Sequence, residues 1–167
     1  GNDRIYDTLG RNTIDGGGNN DLIIGGAGRT TANGGDGNDI IIGGKGDDRL
    51  DGGRGNDSIR GDASSSFFHG DDVITAGQGT DCLEGGGGSD TFVFRKNDGT
   101  NTIAELSISA SSPGNTRAIG VDFESGVDVV DLRDFDYSNR AEAFSKLSDV
   151  NGHARFADQG TVIIFHG

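Results

Sequence analysis

The chain of 167 residues has one cysteine, one proline, no methionine and no tryptophan. A single cysteine cannot form a disulfide within the chain, so covalent cross-links do not hold the fold together. Hydrophobic residues make up only 31% of the sequence, which is low for an ordinary globular domain. No apolar run approaches the length of about 18 residues that indicates a membrane-spanning helix. The fold therefore needs a source of stability other than a large core or disulfides.

Basic residues are also scarce, since 14 Lys and Arg face 27 Asp and Glu, for a net charge of −13. The imbalance is greatest in residues 1–90, which hold 16 acidic and 7 basic side chains. Such a surface repels nucleic acids and anionic membranes, so the sequence argues against both as partners. Divalent cations are the natural counter-charge.

Glycine, by contrast, is abundant, and it recurs in phase with aspartate. Residues 34–62 run GGDGNDIII, GGKGDDRLD, GGRGNDSIR and GD, which is a repeat of nine residues. Each unit has the form Gly-Gly-x-Gly-x-Asp-x-(Ile/Leu)-x. The glycines permit positive φ in a tight turn, and the aliphatic residue faces a core while its neighbours face water. The pattern predicts a loop of six residues followed by a short strand.

The same phase covers most of residues 1–93, apart from a slip of six residues near 64–69. The aliphatic position holds Ile5, Ile14, Ile23, Ala32, Ile41, Leu50, Ile59, Ile74, Leu83 and Phe92. The position two residues earlier holds Asp3, Asn12, Asp21, Thr30, Asp39, Asp48, Asp57, Asp72, Asp81 and Asp90. Because the chain begins in the second half of a unit, we expect it to be a piece of a longer array.

The recurring aspartates are predicted to bind calcium. Calcium takes about six to eight oxygens, more than one such loop offers, so two stacked loops must share an ion. If successive strands alternate between two sheets, loops on the same side are eighteen residues apart in sequence. One row of ligands then holds Asp3, Asp21, Asp39, Asp57 and Asp81. The other holds Asn12, Thr30, Asp48, Asp72 and Asp90, and its first two members are poor ligands.

Backbone carbonyls of the loop glycines are predicted to complete the ligand shells. The glycines concerned are Gly35, Gly37, Gly44, Gly46, Gly53, Gly55, Gly77 and Gly79. A flexible glycine linker is the alternative, but it does not explain the shared phase of Asp and Ile. A roll that folds without metal is another, but it would stack rows of unneutralised carboxylates.

These tandem units closely resemble the RTX (repeats-in-toxin) family of secreted bacterial proteins. Downstream, GSDTFVF at 88–94 and DFESGVDVVDL at 122–132 are similar to the segment that follows the last repeats of that family. The resemblance implies an all-β, right-handed parallel β-roll with a C-terminal β-rich capping segment. It also implies several calcium ions, folding outside the cell, and export by type I secretion machinery. By the same resemblance, Asp122 and Asp128 are candidate ligands of a terminal calcium ion, with ordinary turn polarity the alternative.

The segment after the repeats differs in texture, and we assign residues 1–93 to the roll and 94–167 to the cap. Alternation of apolar and polar residues predicts a strand over 102–110. Two strands joined by a short turn are predicted over 118–123 and 127–132, and a final buried strand over 161–165. Asn151-Gly152 predicts a turn between two strands. Asn139 followed by Glu142 resembles a helix-capping box and predicts a short helix, whose apolar face holds Ala141, Ala143, Phe144 and Leu147.

The leading functional hypothesis is a non-catalytic calcium-binding module that supports the secretion, folding and stability of a larger extracellular protein. The sequence contains neither His-Glu-x-x-His nor Gly-x-Ser-x-Gly, the motifs of the proteases and lipases that carry such repeats. Two alternatives stay open. One is a module that binds an acidic, alginate-like polysaccharide, with Arg133, Arg140, Lys146 and Arg155 as its bases. The other is the C-terminal tail of an extracellular enzyme whose catalytic domain lies upstream.

Overall fold

A computed structural model describes residues 1–63, 70–103, 129–135, 137, 142, 145–150 and 153–165. The described residues form two sheets whose strands come from the repeat in alternation. One sheet has nine strands in the order β1-β3-β5-β7-β9-β11-β15-β14-β13, and the other has six in the order β12-β10-β8-β6-β4-β2. Nearly all strand pairs are parallel. The described part of the chain is therefore the predicted parallel β-roll.

The strands of the roll follow the repeat, one to a unit. In the nine-stranded sheet they are β1 Arg4–Tyr6, β3 Leu22–Ile24, β5 Ile40–Gly44, β7 Ser58–Asp62 and β9 Cys82–Glu84. In the six-stranded sheet they are β2 Asn12–Gly18, β4 Thr30–Asp36, β6 Arg49–Arg54, β8 Val73–Thr75 and β10 Thr91–Val93. Neighbouring strands are offset by eighteen residues, as in Ile23 opposite Ile41. Across the insertion the offset is 24 residues, as in Leu50 opposite Ile74.

The core lies between the sheets and consists of one inward-facing residue from each unit. Ile23, Ile41, Leu50, Ile74 and Leu83 are completely buried. Burying one such side chain contributes about 1.5–3 kcal/mol, so the stack of aliphatic residues holds the sheets together. At the first end of the roll Ile5 and Ile14 are only partly buried, and their strands, β1 and β2, are the edge strands of the two sheets.

The loops between strands depend on glycine for their shape. All eight glycines predicted to lie in the ligand loops have positive φ. Gly55 shows why no other residue fits, since φ is 134° and an added Cβ would overlap the carbonyl oxygen of Gly37 in the loop stacked against it. Close stacking of the loops therefore requires the glycine half of the repeat.

The C-terminal part closes the other end of both sheets. Its elements are β11 Gly99–Ile103, β12 Val129–Asp131, a 3₁₀ turn at Arg133–Phe135, β13 Leu147–Val150, β14 His153–Asp158 and β15 Thr161–Phe165. β12 pairs with β10, and β15 pairs with β11, both in parallel. β15, β14 and β13 form an antiparallel meander at the edge of the nine-stranded sheet. Phe135, Tyr137 and Phe156 pack together below it, with ring centroids 5.5–6.4 Å apart.

Two expectations for this segment are settled and others lie outside the described residues. The strand at 161–165 is confirmed. The helix is wrong at Leu147, which begins β13 and pairs with Phe156, because antiparallel pairing satisfies backbone groups that a helix would otherwise satisfy. Of the strands predicted at 102–110 and 127–132, the described parts are the end of β11 and β12. The predicted strand at 118–123, the turn at Asn151-Gly152, and the helix positions Ala141, Ala143 and Phe144 are not among the described residues.

Candidate metal centre

The loops stack in two rows, and each row leads into one sheet. Row one consists of loops 16–21, 34–39, 52–57 and 76–81, which precede strands of the nine-stranded sheet. Row two consists of loops 7–12, 25–30, 43–48 and 85–90 together with residues 61–63 and 70–72, and these precede strands of the six-stranded sheet. We refer to residues 61–63 and 70–72 as the loop that ends at Asp72. We call the space between two neighbouring loops of one row a step. The rows bring together the same residues that the eighteen-residue spacing predicted.

At these steps, one carboxylate oxygen of the repeat aspartate accepts a hydrogen bond from the preceding loop of the same row. In row one, the amide N–H of Asp21 donates to Asp39 Oδ1 at 2.7 Å, and that of Asp39 donates to Asp57 Oδ1 at 2.8 Å. In row two, the N–H of Asp48 donates to Asp72 Oδ1 at 2.8 Å. The same bond occurs at the remaining steps, from Asp3 to Asp21, Asp57 to Asp81, Thr30 to Asp48 and Asp72 to Asp90. One oxygen of each carboxylate thus fixes the spacing of the loops.

The second oxygen is buried without a hydrogen-bond partner among the described residues. This is so for Oδ2 of Asp21, Asp39, Asp48, Asp57, Asp72 and Asp81. These six side chains are at most 3% exposed. A buried carboxylate oxygen that lacks a donor carries a large desolvation cost, and a row of them repeats that cost at every step.

A backbone carbonyl oxygen faces five of these six carboxylate oxygens across the first glycine of the loop; the exception is Asp81, whose loop begins with Ala76. A Cβ built on Gly16 would lie 2.7 Å from Asp21 Oδ2 and 2.6 Å from the carbonyl oxygen of Gly34 in the next loop. The same pair of oxygens flanks the first glycine of the loops that begin at Gly34, Gly43, Gly52 and Gly61. Two oxygen atoms that converge with no hydrogen-bond donor between them are ligands of the kind that a hard cation prefers, so the residues fit calcium.

Side chains alone do not complete such a site. Within the described ranges, no group of three or more His, Cys, Asp or Glu side chains is placed to hold a metal ion. The remaining oxygens must therefore come from the backbone. The carbonyl that faces the carboxylate belongs to the first residue of the next loop. The sequence analysis did not single out this residue, although a glycine recurs at its position.

Burial gives these carboxylates unusual proton affinities. It raises the pKa of Asp57 to about 6, of Asp48 and Asp81 to about 7, and of Asp72 to about 8. In each case a backbone N–H bond opposes the rise and neighbouring acids add to it. The pKa of Asp39 is raised as well, chiefly by burial. At neutral pH the rows are therefore short of positive charge.

The two poor ligands of row two make bonds of their own. Thr30 Oγ1 donates to the carbonyl oxygen of Gly43 at 3.2 Å, so this step is closed without a cation. Asn12 Nδ2 donates to the carbonyl oxygen of Leu9 at 3.0 Å, within its own loop. Row one ends at Asn101, whose Oδ1 accepts from the N–H of Asp81 at 3.2 Å as an aspartate would.

A second hydrogen-bond ladder runs along the outside of the loops and was not predicted. The N–H of Asn38 donates to Asn20 Oδ1 at 2.9 Å, and that of Asn56 donates to Asn38 Oδ1 at 2.8 Å. In row two, the N–H of Asp71 donates to Asp47 Oδ1 at 3.1 Å. The sequence signal is the Asn or Asp that recurs directly before the buried aspartate.

Comparison with known proteins gives the repeats a family. The RTX calcium-binding nonapeptide repeat matches in four copies, over residues 1–32, 26–59, 33–66 and 70–92. The chain belongs to this RTX repeat family. Calcium is therefore the metal of its repeats.

One solved structure that resembles the RTX chain is the extracellular lipase LipA from Serratia marcescens, with 16% identity and a TM-score of 0.36. The match covers 96% of this chain, which spans 38% of the lipase chain. A search of the curated proteins finds no match.

Of the predicted ligands of this RTX chain, the repeat aspartates from Asp21 to Asp90 lie in the two rows, whereas Asp3 is exposed and donates its N–H to Asp21 at the start of row one. Asp122 and Asp128 are outside the described residues. Three of the four bases suggested for a polysaccharide are described, and two of them are engaged: Arg133 binds Asp131 through Nε at 2.8 Å, and Lys146 lies 3.6 Å from Asp158. No helix in the described part of the chain is both long and apolar enough to cross a bilayer.

Proposed function

We propose that this chain is a non-catalytic RTX module that folds when calcium binds outside the cell and supports a larger extracellular protein. The observation that carries the proposal is the series of buried Asp Oδ2 atoms that lack a donor, five of which face a carbonyl oxygen. The residues proposed as ligands are the repeat aspartates Asp3, Asp21, Asp39, Asp48, Asp57, Asp72, Asp81 and Asp90, together with carbonyls of the loop glycines. Asp122 and Asp128 remain proposed ligands of a terminal ion.

Each carboxylate has two tasks in this proposal. Oδ1 holds the neighbouring loop by accepting its N–H, while Oδ2 and the facing carbonyl hold the ion. Calcium, when bound, supplies the positive charge that the rows lack. Without it, buried anions are stacked at every step and the small apolar core does not offset their repulsion. Extracellular calcium modules bind with dissociation constants of about 10⁻⁴ to 10⁻³ M, so such a module would stay unfolded in the cytosol and fold after export.

The division into a repeat roll at 1–93 and a cap at 94–167 belongs to the same proposal. The far edge of a roll exposes unpaired strands, which natural proteins cover. The meander of β13–β15 and the aromatic cluster of Phe135, Tyr137 and Phe156 supply a cover of this kind. Upstream domains of the parent chain and the type I secretion machinery are the proposed partners.

The test is circular dichroism of the full chain in EDTA, followed by titration with calcium. We expect a disordered spectrum in EDTA and a cooperative change to a β spectrum with calcium. Magnesium at equal concentration is the control, and it should not restore the β spectrum because it demands a rigid octahedral shell and gives up water reluctantly. A β spectrum that persists unchanged in EDTA would contradict the proposal.

A further inference from the structure

One buried carboxylate of row two stands where the neighbouring loops carry glycine. Asp62 is in register with Gly44 in the preceding loop, and its side chain lies against Gly86 in the following one. Gly44 and Gly86 have φ of 116° and 103°, whereas Asp62 does not have a positive φ. The Asp62 side chain is nonetheless inside the row, because the residue is only 7% exposed.

Hydrogen bonds hold Asp62 between two loops, and the absence of a Cβ at Gly86 leaves space for its side chain. The N–H of Gly87 donates to Asp62 Oδ2 at 2.9 Å, and the N–H of Asp62 donates to the carbonyl oxygen of Gly85 at 3.2 Å. A Cβ on Gly86 would come within 2.7 Å of both Cβ and Oδ2 of Asp62, so only glycine leaves room there. Asp62 thus joins the loop that ends at Asp72 to loop 85–90.

The same step contains an unpartnered carboxylate. Asp72 is 1% exposed, and its Oδ2 has no hydrogen-bond partner among the described residues. Asp72 Oδ2 and the carbonyl oxygen of Gly85 both flank the Cβ position of Gly61, the residue that precedes Asp62. The extra carboxylate is therefore adjacent in sequence to the point where the acceptors of this step converge.

The charge of Asp62 acts on both aspartates of the neighbouring steps, Asp72 and Asp48. A further buried carboxylate adds negative charge to these steps, which favours a bound cation. Nothing in the nine-residue repeat demands an acid at this position, since Gly44 and Gly86 occupy it in the flanking loops.

We propose that Asp62 supplies a second carboxylate to the calcium-binding step between the loop that ends at Asp72 and loop 85–90. This makes that step the tightest calcium site of the roll, since affinity for calcium rises with the number of charged ligands. The inference rests on the proposed function, because it presupposes that the steps bind calcium. It differs from the repeat rule in assigning a side-chain ligand to a position where the repeat, having glycine, can offer only a backbone carbonyl.

The experiment compares calcium binding to the full chain and to Asp62→Asn and Asp62→Gly, by calorimetry and by competition with a chromophoric chelator. Asp62→Asn keeps an acceptor for the Gly87 N–H and removes the charge, while Asp62→Gly restores the repeat. We expect each variant to weaken the tightest binding class by about tenfold or more. The matched control is Asp36→Asn, which removes one charge from an exposed pair with Arg54 in row one and should titrate as the parent chain does.

Asp57→Asn separates failure of this inference from failure of the proposed function. If the parent chain binds no calcium, the proposed function fails. If the parent chain binds calcium and Asp57→Asn weakens binding while both Asp62 variants titrate normally, only the assignment of Asp62 is overturned. The assignment is also overturned if the Asp62 variants lower thermal stability but leave every calcium-binding class unchanged, because Asp62 would then be a hydrogen-bond acceptor alone.

Discussion

Rows one and two share one backbone design, yet they differ in how much charge their steps leave uncompensated. Row one carries an aspartate at every step from Asp3 to Asp81, whereas row two begins with Asn12 and Thr30. At Thr30 the hydroxyl donates to the Gly43 carbonyl, and the step is complete. At Asp39 the corresponding oxygen has no donor among the described residues. The loops thus stack at both steps, and the aspartate differs from the threonine in leaving a buried oxygen without a donor.

In the second half of row two the contrast is reversed, because these steps hold more acidic side chains than those of row one. Asp47 and Asp71 lie directly before the buried aspartates, where row one has Asn38 and Asn56, and Asp62 adds a further acid. A carboxylate pKa of about 8, at Asp72, occurs there because burial is reinforced by neighbouring acids. Row two therefore passes from a step that Thr30 closes by its own hydrogen bond to steps that hold several buried acids.

The largest effect expected from this comparison is a pH dependence of the calcium-free protein. The folded pKa values of Asp57, Asp81, Asp48 and Asp72 are about 6, 7, 7 and 8, above the ordinary value of 3.8. Protonation therefore favours the folded state, and that stability is lost as the pH rises through about 6 to 8. In EDTA, circular dichroism should show more β structure at pH 5 than at pH 8. Asp72→Asn should reduce this dependence more than Asp57→Asn; equal β content at both pH values would contradict the charge argument.

Removing the polar side chain of one step should cost more in row one than in row two. Asp39→Ala deletes the carboxylate oxygen that accepts the buried N–H of Asp21, and it also deletes a proposed calcium ligand. It should lower the free energy of unfolding by about 1–3 kcal/mol from the lost hydrogen bond alone. It should also weaken calcium binding. Thr30→Ala should cost about 1 kcal/mol and leave the number of bound calcium ions unchanged. Thermal unfolding and calcium titration measure both. The rows are equivalent, and the contrast fails, if the two variants lose calcium to the same extent.

The smallest expected effect is the gain from converting an early step of row two. Thr30→Asp places a carboxylate where Thr30 Oγ1 and the Gly43 carbonyl already flank the Cβ position of Gly25. We expect one additional calcium ion per chain and a modest rise in melting temperature in excess calcium, which disappears in EDTA. Thr30→Asn, which adds the same bulk without charge, should show neither. A stoichiometry that stays constant in Thr30→Asp would mean that this step is closed for a reason other than ligand type.

Sequence reasoning succeeded where the nine-residue period repeats and was weaker beyond it. The inward position predicted a continuous core, and from Ile23 to Phe92 every residue at that position is buried. It failed at Leu147, where a local helix signal competed with antiparallel pairing to the next strand, β14. It also missed Asp62, since only the contact with Gly86 in the next loop reveals what a side chain does at a glycine position.

The sequence by itself determined the alternation of loop and strand, the core positions and the spacing of the aspartates, because each follows from chemistry repeated within nine residues. Tertiary structure alone decided how each carboxylate divides its oxygens, with one bonded to the loop before it and the other facing a carbonyl of the loop after it. It also decided that β15 pairs with β11 across some sixty residues of chain. Contacts between loops eighteen residues apart depend on how the sheets stack, and a local pattern carries no information on which oxygen will be left without a donor.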